Sequence, residues 1–189
     1  MADIPPEILL YMFSYFDLKS LIMGKGVCRL WRRLIPLSDI PSTRRAFLDL
    51  YMSCLEAPAF ISTRPWLIDH LIPFNREAYI DTLQKQYPAL PEDFVLWILE
   101  WPARAAIGCV WPGLDRKFYD SIPDAGRWHG WNSLARTPPP IERLVLEDRD
   151  AGLTVDIPGI LIWEWEEYES WLVLDSREIL RGKVFETMD

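Results

Sequence analysis

The side chains able to do more than pack are two histidines, three cysteines and a group of acids and tryptophans between residues 111 and 131. His70 and His129 stand at no spacing from a cysteine or an acid that matches a familiar zinc pattern. Cys28, Cys54 and Cys109 are too few and too scattered for a disulfide framework or a paired-cysteine metal site. Cys109, between Gly108 and Val110, is a nucleophile only if His129 lies beside it to take its proton. No Gly-x-Ser-x-Gly elbow, phosphate-binding loop or dinucleotide fingerprint occurs. Asp120 and Asp124, with Trp111, Trp128 and Trp131 around them, come nearest to a carboxylate pair in a sugar site. Solvated loop acids and core-filling tryptophans (Trp97, Trp101, Trp163, Trp165 and Trp171) are the simpler reading. Trp128 and Trp131, on a Gly-containing loop, are the best candidates for a substrate-recognition surface. Catalysis, cofactors and metals are not expected.

The elements that must carry these residues fall into a head and a body. The chain has 189 residues, half of them apolar and a quarter charged, enough for a packed core. Its net charge of −8 argues against phosphate-driven nucleic-acid binding. The apolar runs are too short to cross a membrane, and the first residues are acids and prolines where a leader would be basic. A cytoplasmic or nuclear setting is expected, with no nucleic-acid or membrane partner. Residues 1–35 hold five basic and three acidic side chains, the remainder 15 and 25, so head and body face different partners.

In the head, Pro5 and Pro6 suit the start of a helix and Glu7 its positive end. Asp17 can cap a second short helix ending near Gly24 and Gly26. A third, over 27–34, places Val27, Leu30, Trp31 and Leu34 on one stripe and Arg29, Arg32 and Arg33 elsewhere. The first helix differs: residues 8–13 are all apolar, so it needs cover on more than one side. Three helices this short cannot supply that cover, because units below ~40 residues rarely sustain a core. Either the rest of the chain or another protein must.

Ile4-Pro5-x-Glu7-Ile8, then Leu21, then Val27-Cys28-Arg29-Leu30-Trp31-Arg32-Arg33-Leu34 resemble the F-box, which opens Leu-Pro-x-Glu-Ile and closes Val-Cys-x-x-Trp-Arg-x-Leu. Ile replaces the opening Leu, and Gly24-Lys25-Gly26 stands where helix-favouring residues are usual. F-boxes bind the Skp-type adaptor of SCF ubiquitin ligases, and the resemblance makes that adaptor the missing cover. It implies that Ile4 and Pro5 fill an adaptor pocket. It implies further that Ile8, Leu9, Leu21, Val27, Cys28, Trp31 and Leu34 line a shared apolar interface, with Glu7 capping the helix or pairing at the rim. Cys28 reads as a small core hydrophobe.

Downstream, residues 42–55 read as a helix capped by Ser42, with Phe47, Leu48, Tyr51, Cys54 and Leu55 on one face. Residues 56–75, with Pro58, Pro65 and Pro73, read as extended or turned. Asn75 can cap a helix over 76–87; Pro91 opens another, stopped by Trp101-Pro102, with Phe94, Trp97, Ile98 and Trp101 inward. Strands are expected over 141–147, 159–165, 171–174 and 183–186, with 166–169 as a hairpin tip and 112–140 irregular. The helix opening Leu90-Pro91-Glu92-Asp93-Phe94, then Ile160-Leu161-Ile162-Trp163, Trp171-Leu172-Val173-Leu174-Asp175 and Gly182-Lys183-Val184-Phe185, resembles SUKH-type α+β binding domains. It is also similar to the bodies of F-box proteins from mushroom-forming fungi.

The expected architecture is α+β: a three-helix F-box over 1–41, a helical arm and connection over 42–74, and a SUKH-like body with an antiparallel sheet over 75–189. The resemblance implies a substrate receptor of an SCF-type ligase, joined through the adaptor to a cullin and holding an unknown target by its body. A non-catalytic scaffold or immunity-like module, or a carbohydrate-binding domain, are the alternatives.

Overall fold

The computed structural model describes residues 4–119, 129–135, 137–148, 153–177 and 179–188. Seven helices come first: α1 Pro6–Ser14, α2 Leu18–Val27, α3 Arg29–Leu34, α4 Ser42–Cys54, α5 Pro58–His70, α6 Arg76–Gln86 and α7 Glu92–Glu100. Six strands come after them among the described residues: β1 Phe118–Tyr119, β2 Gly130–Asn132, β3 Ile141–Asp148, β4 Leu153–Trp165, β5 Tyr168–Val173 and β6 Val184–Met188. They form one sheet in the order β1-β2-β4-β5-β6, with β3 also on β4, every pairing antiparallel. The fold is α+β, as helical patterns followed by strand patterns along the chain lead one to expect.

Caps set several boundaries. The Asp17 carboxylate accepts the Ser20 N–H at 2.7 Å and starts α2; Asn75 accepts from Ala78 at 3.0 Å and starts α6. Cys28 ends α2 and begins α3, so Val27 closes the second helix and does not open the third. α4 starts at Ser42 after Pro41, but Ser42 makes no side-chain cap. The C-terminal carbonyls of α7 are closed from outside the helix: Arg76 Nη1 donates to Ile98, Leu99 and Trp101 at 3.1, 3.1 and 2.7 Å.

Two segments depart from expectation. Residues 58–70 are helical despite Pro65, because Pro58 occupies the first turn and Phe60, Trp66 and Leu67 gain apolar packing. Pro65 forfeits one bond, to Ile61, which is exposed, so water can serve that carbonyl. The stretch over 112–140 is not wholly irregular: β1 and β2 pair within it.

Apolar contacts cross the boundaries expected at 41 and 74. One core joins Leu9, Phe13, Leu18, Leu21 and Ile35 to Leu48, Leu67, Trp101 and Trp111. A second packs Tyr79, Leu83 and Ile98 onto Ile160 and Leu172 of the sheet. The sheet's other face closes on itself around Leu144, Ile157, Trp171 and Val173. Residues alternate between these faces along β4 and β5, which is why both strands read as dense apolar runs. The Tyr79 hydroxyl donates to the Leu134 carbonyl at 3.0 Å, joining helix layer to sheet, and burial pushes its phenol well above the ordinary value.

The two glycines of α2 play different parts. A Cβ on Gly24 would meet Ile35 Cδ1 at 3.0 Å and Trp31 Cε3 at 3.5 Å, so glycine lets the chain after α3 approach. A Cβ on Gly26 would meet nothing within 4 Å. Gly26→Ala is therefore expected to stabilise the chain by about 0.5–1 kcal/mol, read as a higher urea midpoint, through helix propensity alone. Gly24→Val should lower that midpoint.

Candidate functional site

The candidate surface lies on the first three helices. α1 carries two apolar stripes. Leu9 and Phe13 point into the first core at 2 % and 0 % exposure, while Ile4, Ile8, Tyr11, Met12 and Tyr15, at helical spacing, are left to solvent. Pro5 stands just before the helix, its carbonyl accepting from Ile8 and Leu9 at 3.1 and 3.2 Å. Glu7 is exposed in the first turn, where a negative charge suits the helix dipole. Tyr15 Oη donates to Tyr11 Oη at 2.9 Å with the rings edge to face, which raises the Tyr15 phenol above its ordinary value. On α2, Met23 and Val27 share the open side; on α3, Leu30 is open.

Two residues expected to line an interface lie in the chain's own core. Leu9 and Leu21 are sealed by this chain: they lock the three helices to α4 and to the segment after α7 and offer no free surface. Cys28 is exposed, not a core hydrophobe, and its Sγ accepts the Trp31 N–H at 3.5 Å as the cap of α3. Trp31 is half-buried, edge-on to Phe13 with centroids 5.0 Å apart and lying against Gly24. Leu34 is half-buried against the same core. Ile4, Pro5, Glu7, Ile8, Val27 and Cys28 keep an accessible position. Tyr11, Met12, Tyr15, Met23 and Leu30 join them. The unbroken apolar run over 8–13 was the signal for the α1 members, because no single face can hold it.

What orients these helices is a carboxylate at the end of α7. Glu100 accepts the Leu18 N–H at 2.8 Å, at the first turn of α2, and takes Arg44 Nε and Nη2 from α4 at 2.9 and 2.6 Å. The carboxylate holds the Arg44 guanidinium above its ordinary pKa. One side chain thus ties α2, α4 and α7 together.

Residues 1–39 match the F-box-like family. The head is an F-box-like domain. Domains of this kind bind Skp-type adaptors of SCF-type ubiquitin ligases. No curated protein and no solved structure matches the chain.

In the body, Trp128, Asp120 and Asp124 lie outside the described residues. Trp131 is half-buried on β2, paired in register with Glu164 of β4, so it sits on a strand and not on a loop. Trp111 is fully buried and cannot stack on a sugar. Trp66 stacks on His70 at 4.1 Å and its carbonyl lies 2.7 Å from His70 Nδ1. Cys109 is fully buried against Trp66 and Trp163, which pushes its thiol up to about 12. That environment suits a packed thiol, not an attacking thiolate. Among the described residues no group of His, Cys, Asp and Glu could hold a metal ion. An apolar cleft of ≈ 360 Å³ opens between α4, α7 and the sheet, lined by Phe47, Phe94, Trp97, Leu172 and Val184 with Asp93 at its edge.

The Glu100 tie and the contrast between the cysteines can both be tested. Glu100→Ala strands the Arg44 charge and the Leu18 N–H, and should cost about 2–3 kcal/mol in denaturant unfolding. A double-mutant cycle with Arg44→Ala should show coupling, and purely additive losses would break the link described. A maleimide reagent at neutral pH should modify Cys28 rapidly and Cys109 only on unfolding; prompt labelling of Cys109 would contradict its burial.

Proposed function

We propose that this chain is the substrate-recognition subunit of an SCF-type ubiquitin ligase, docking a Skp-type adaptor through its head and a target protein through its body. The single observation that carries the reading is the second apolar stripe of α1 together with the open sides of α2 and α3. A patch of this kind on a folded head is characteristic of an interaction surface. Buried aromatic and aliphatic anchors usually dominate such contacts, and Ile8, Tyr11, Met12 and Val27 are the side chains available.

The chain itself would perform no bond chemistry and would work in the cytoplasm or nucleus. Joined through the adaptor to a cullin, it would hold a target close to a ubiquitin-loaded enzyme and raise the effective concentration of the acceptor lysine. The body's sequence resemblance to SUKH-type binding domains, the apolar cleft beside Asp93, and its surplus of acids support a protein-binding role for residues 75–189.

Co-purification with a fungal Skp-type adaptor tests the reading. Ile8 and Val27 are 50 % and 61 % exposed, so Ile8→Asp and Val27→Asp should leave the melting temperature nearly unchanged. Each should weaken adaptor binding about 30-fold or more, because a charge would be buried unpaired in the interface. Trp31→Ala should behave differently, losing about 2–3 kcal/mol of stability because its ring supports the head's own core. Retention of wild-type adaptor binding by both aspartate variants would defeat the proposal.

A further inference from the structure

Beside the junction of head and body lie two adjoining clefts, both lined by Arg76, Arg104 and Ala103. The larger, ≈ 640 Å³, also holds Asp17, Lys19 and Glu100; the smaller, ≈ 330 Å³, holds Pro73, Phe74 and Trp111. In the larger cleft both carboxylates are occupied, Asp17 by the Ser20 N–H and Glu100 by Arg44 and the Leu18 N–H. In the smaller one no acid among the described residues lines the wall.

Arg76 is the unusual member. It is half-buried, and among the described residues it has no carboxylate partner. Its Nη1 is spent on three carbonyls at the end of α7, while its Nε and Nη2 donate to nothing described. The guanidinium carbon sits 5.1 Å from the Trp111 ring and 6.0 Å from the Phe74 ring, which fixes its plane. Burial without a counter-charge pulls its pKa down from the ordinary value. Arg104 is exposed beside it and makes no hydrogen bond or ion pair among the described residues. The wall also contains the Trp111 Nε1–H, completely buried and without an acceptor among the described residues. A buried donor left unmet is costly and uncommon.

We propose that the smaller cleft is a binding site for an acidic segment of the target polypeptide, in which a carboxylate side chain neighbours an apolar one. That the segment belongs to a target rests on the receptor reading above. Arg76 and Arg104 supply charged donors to the carboxylate. Pro73 and Phe74 offer apolar surface to the adjacent residue. The two clefts together are far larger than one inorganic ion needs, which favours a peptide over an isolated anion. A chain of net charge −8 repels acidic partners elsewhere, so this local surplus of donors also sets where such a segment can settle.

The test uses the full chain and two fluorescein-labelled hexapeptides, one alternating phenylalanine with glutamate, the other phenylalanine with glutamine. Fluorescence anisotropy should show binding of the glutamate peptide, weakening as salt is raised, and at least tenfold poorer binding of the glutamine peptide. Arg104→Glu should reduce the glutamate peptide's affinity about tenfold or more with an unchanged melting temperature, since that side chain supports nothing in the fold. Equal affinity for the two peptides, or no effect of Arg104→Glu, overturns the proposal. Inorganic phosphate displacing the peptide at equal concentration would also overturn it, in favour of an isolated anion site. Adaptor co-purification of Arg104→Glu should match the wild type. If peptide capture survives while no adaptor binds, the receptor reading fails and the site stands; the reverse removes only the site.

Discussion

A nine-residue helix that is apolar on all sides has to be covered twice, and much of this molecule's organisation answers that constraint. The chain supplies one cover itself. Leu9 and Phe13 enter a core that α4, α5, Trp101 and Trp111 complete, so the F-box-like head cannot be separated cleanly from the helices after it. The other flank, with Ile8, Tyr11, Met12 and Tyr15, stays open. Burial on one side makes the head rigid, and rigidity lets the remaining apolar side chains be presented in a set geometry, which lowers the ordering cost of docking.

Glu100 makes the two requirements compatible. It serves as acceptor for the first turn of α2 and as counter-ion for Arg44, and it stands at the end of α7, whose inner face meets the sheet. Partly shielded from bulk water, such a charge-assisted arrangement is directional as well as attractive. The orientation of the head is thereby coupled to that of the body. Under the proposed receptor function, a stiff connection of this kind would hold a target at a set distance from a ligase.

Much was legible in residue patterns. The caps at Asp17 and Asn75, the helix bounded by Pro91 and Trp101-Pro102, and the strands around Ile160 and Trp171 all appear near where periodicity placed them. The interface assignments were harder. Leu9 and Ile8 are neighbours in sequence and equally apolar, yet one is sealed and the other open. Cys28 looked like core material and proved to be a cap on the surface. Residues 58–70 carried two prolines and still folded as a helix, since apolar packing outweighed local preference.

From its residues alone, this chain determined that its head would be helical and F-box-like, that its second half would build an antiparallel sheet, and that α1 would carry more apolar surface than one contact can bury. These properties come from local spacing, which dictates which side chains share a face. Only the tertiary structure decided which face meets the chain's own core, which carboxylate steadies the head, and which arginine is left half-buried without an acid among the described residues. Those outcomes depend on partners such as Arg44 and Glu100, or Leu18 and Glu100, separated by 56 and 82 residues. No local pattern encodes a pairing at that distance; packing of the whole chain brings it about.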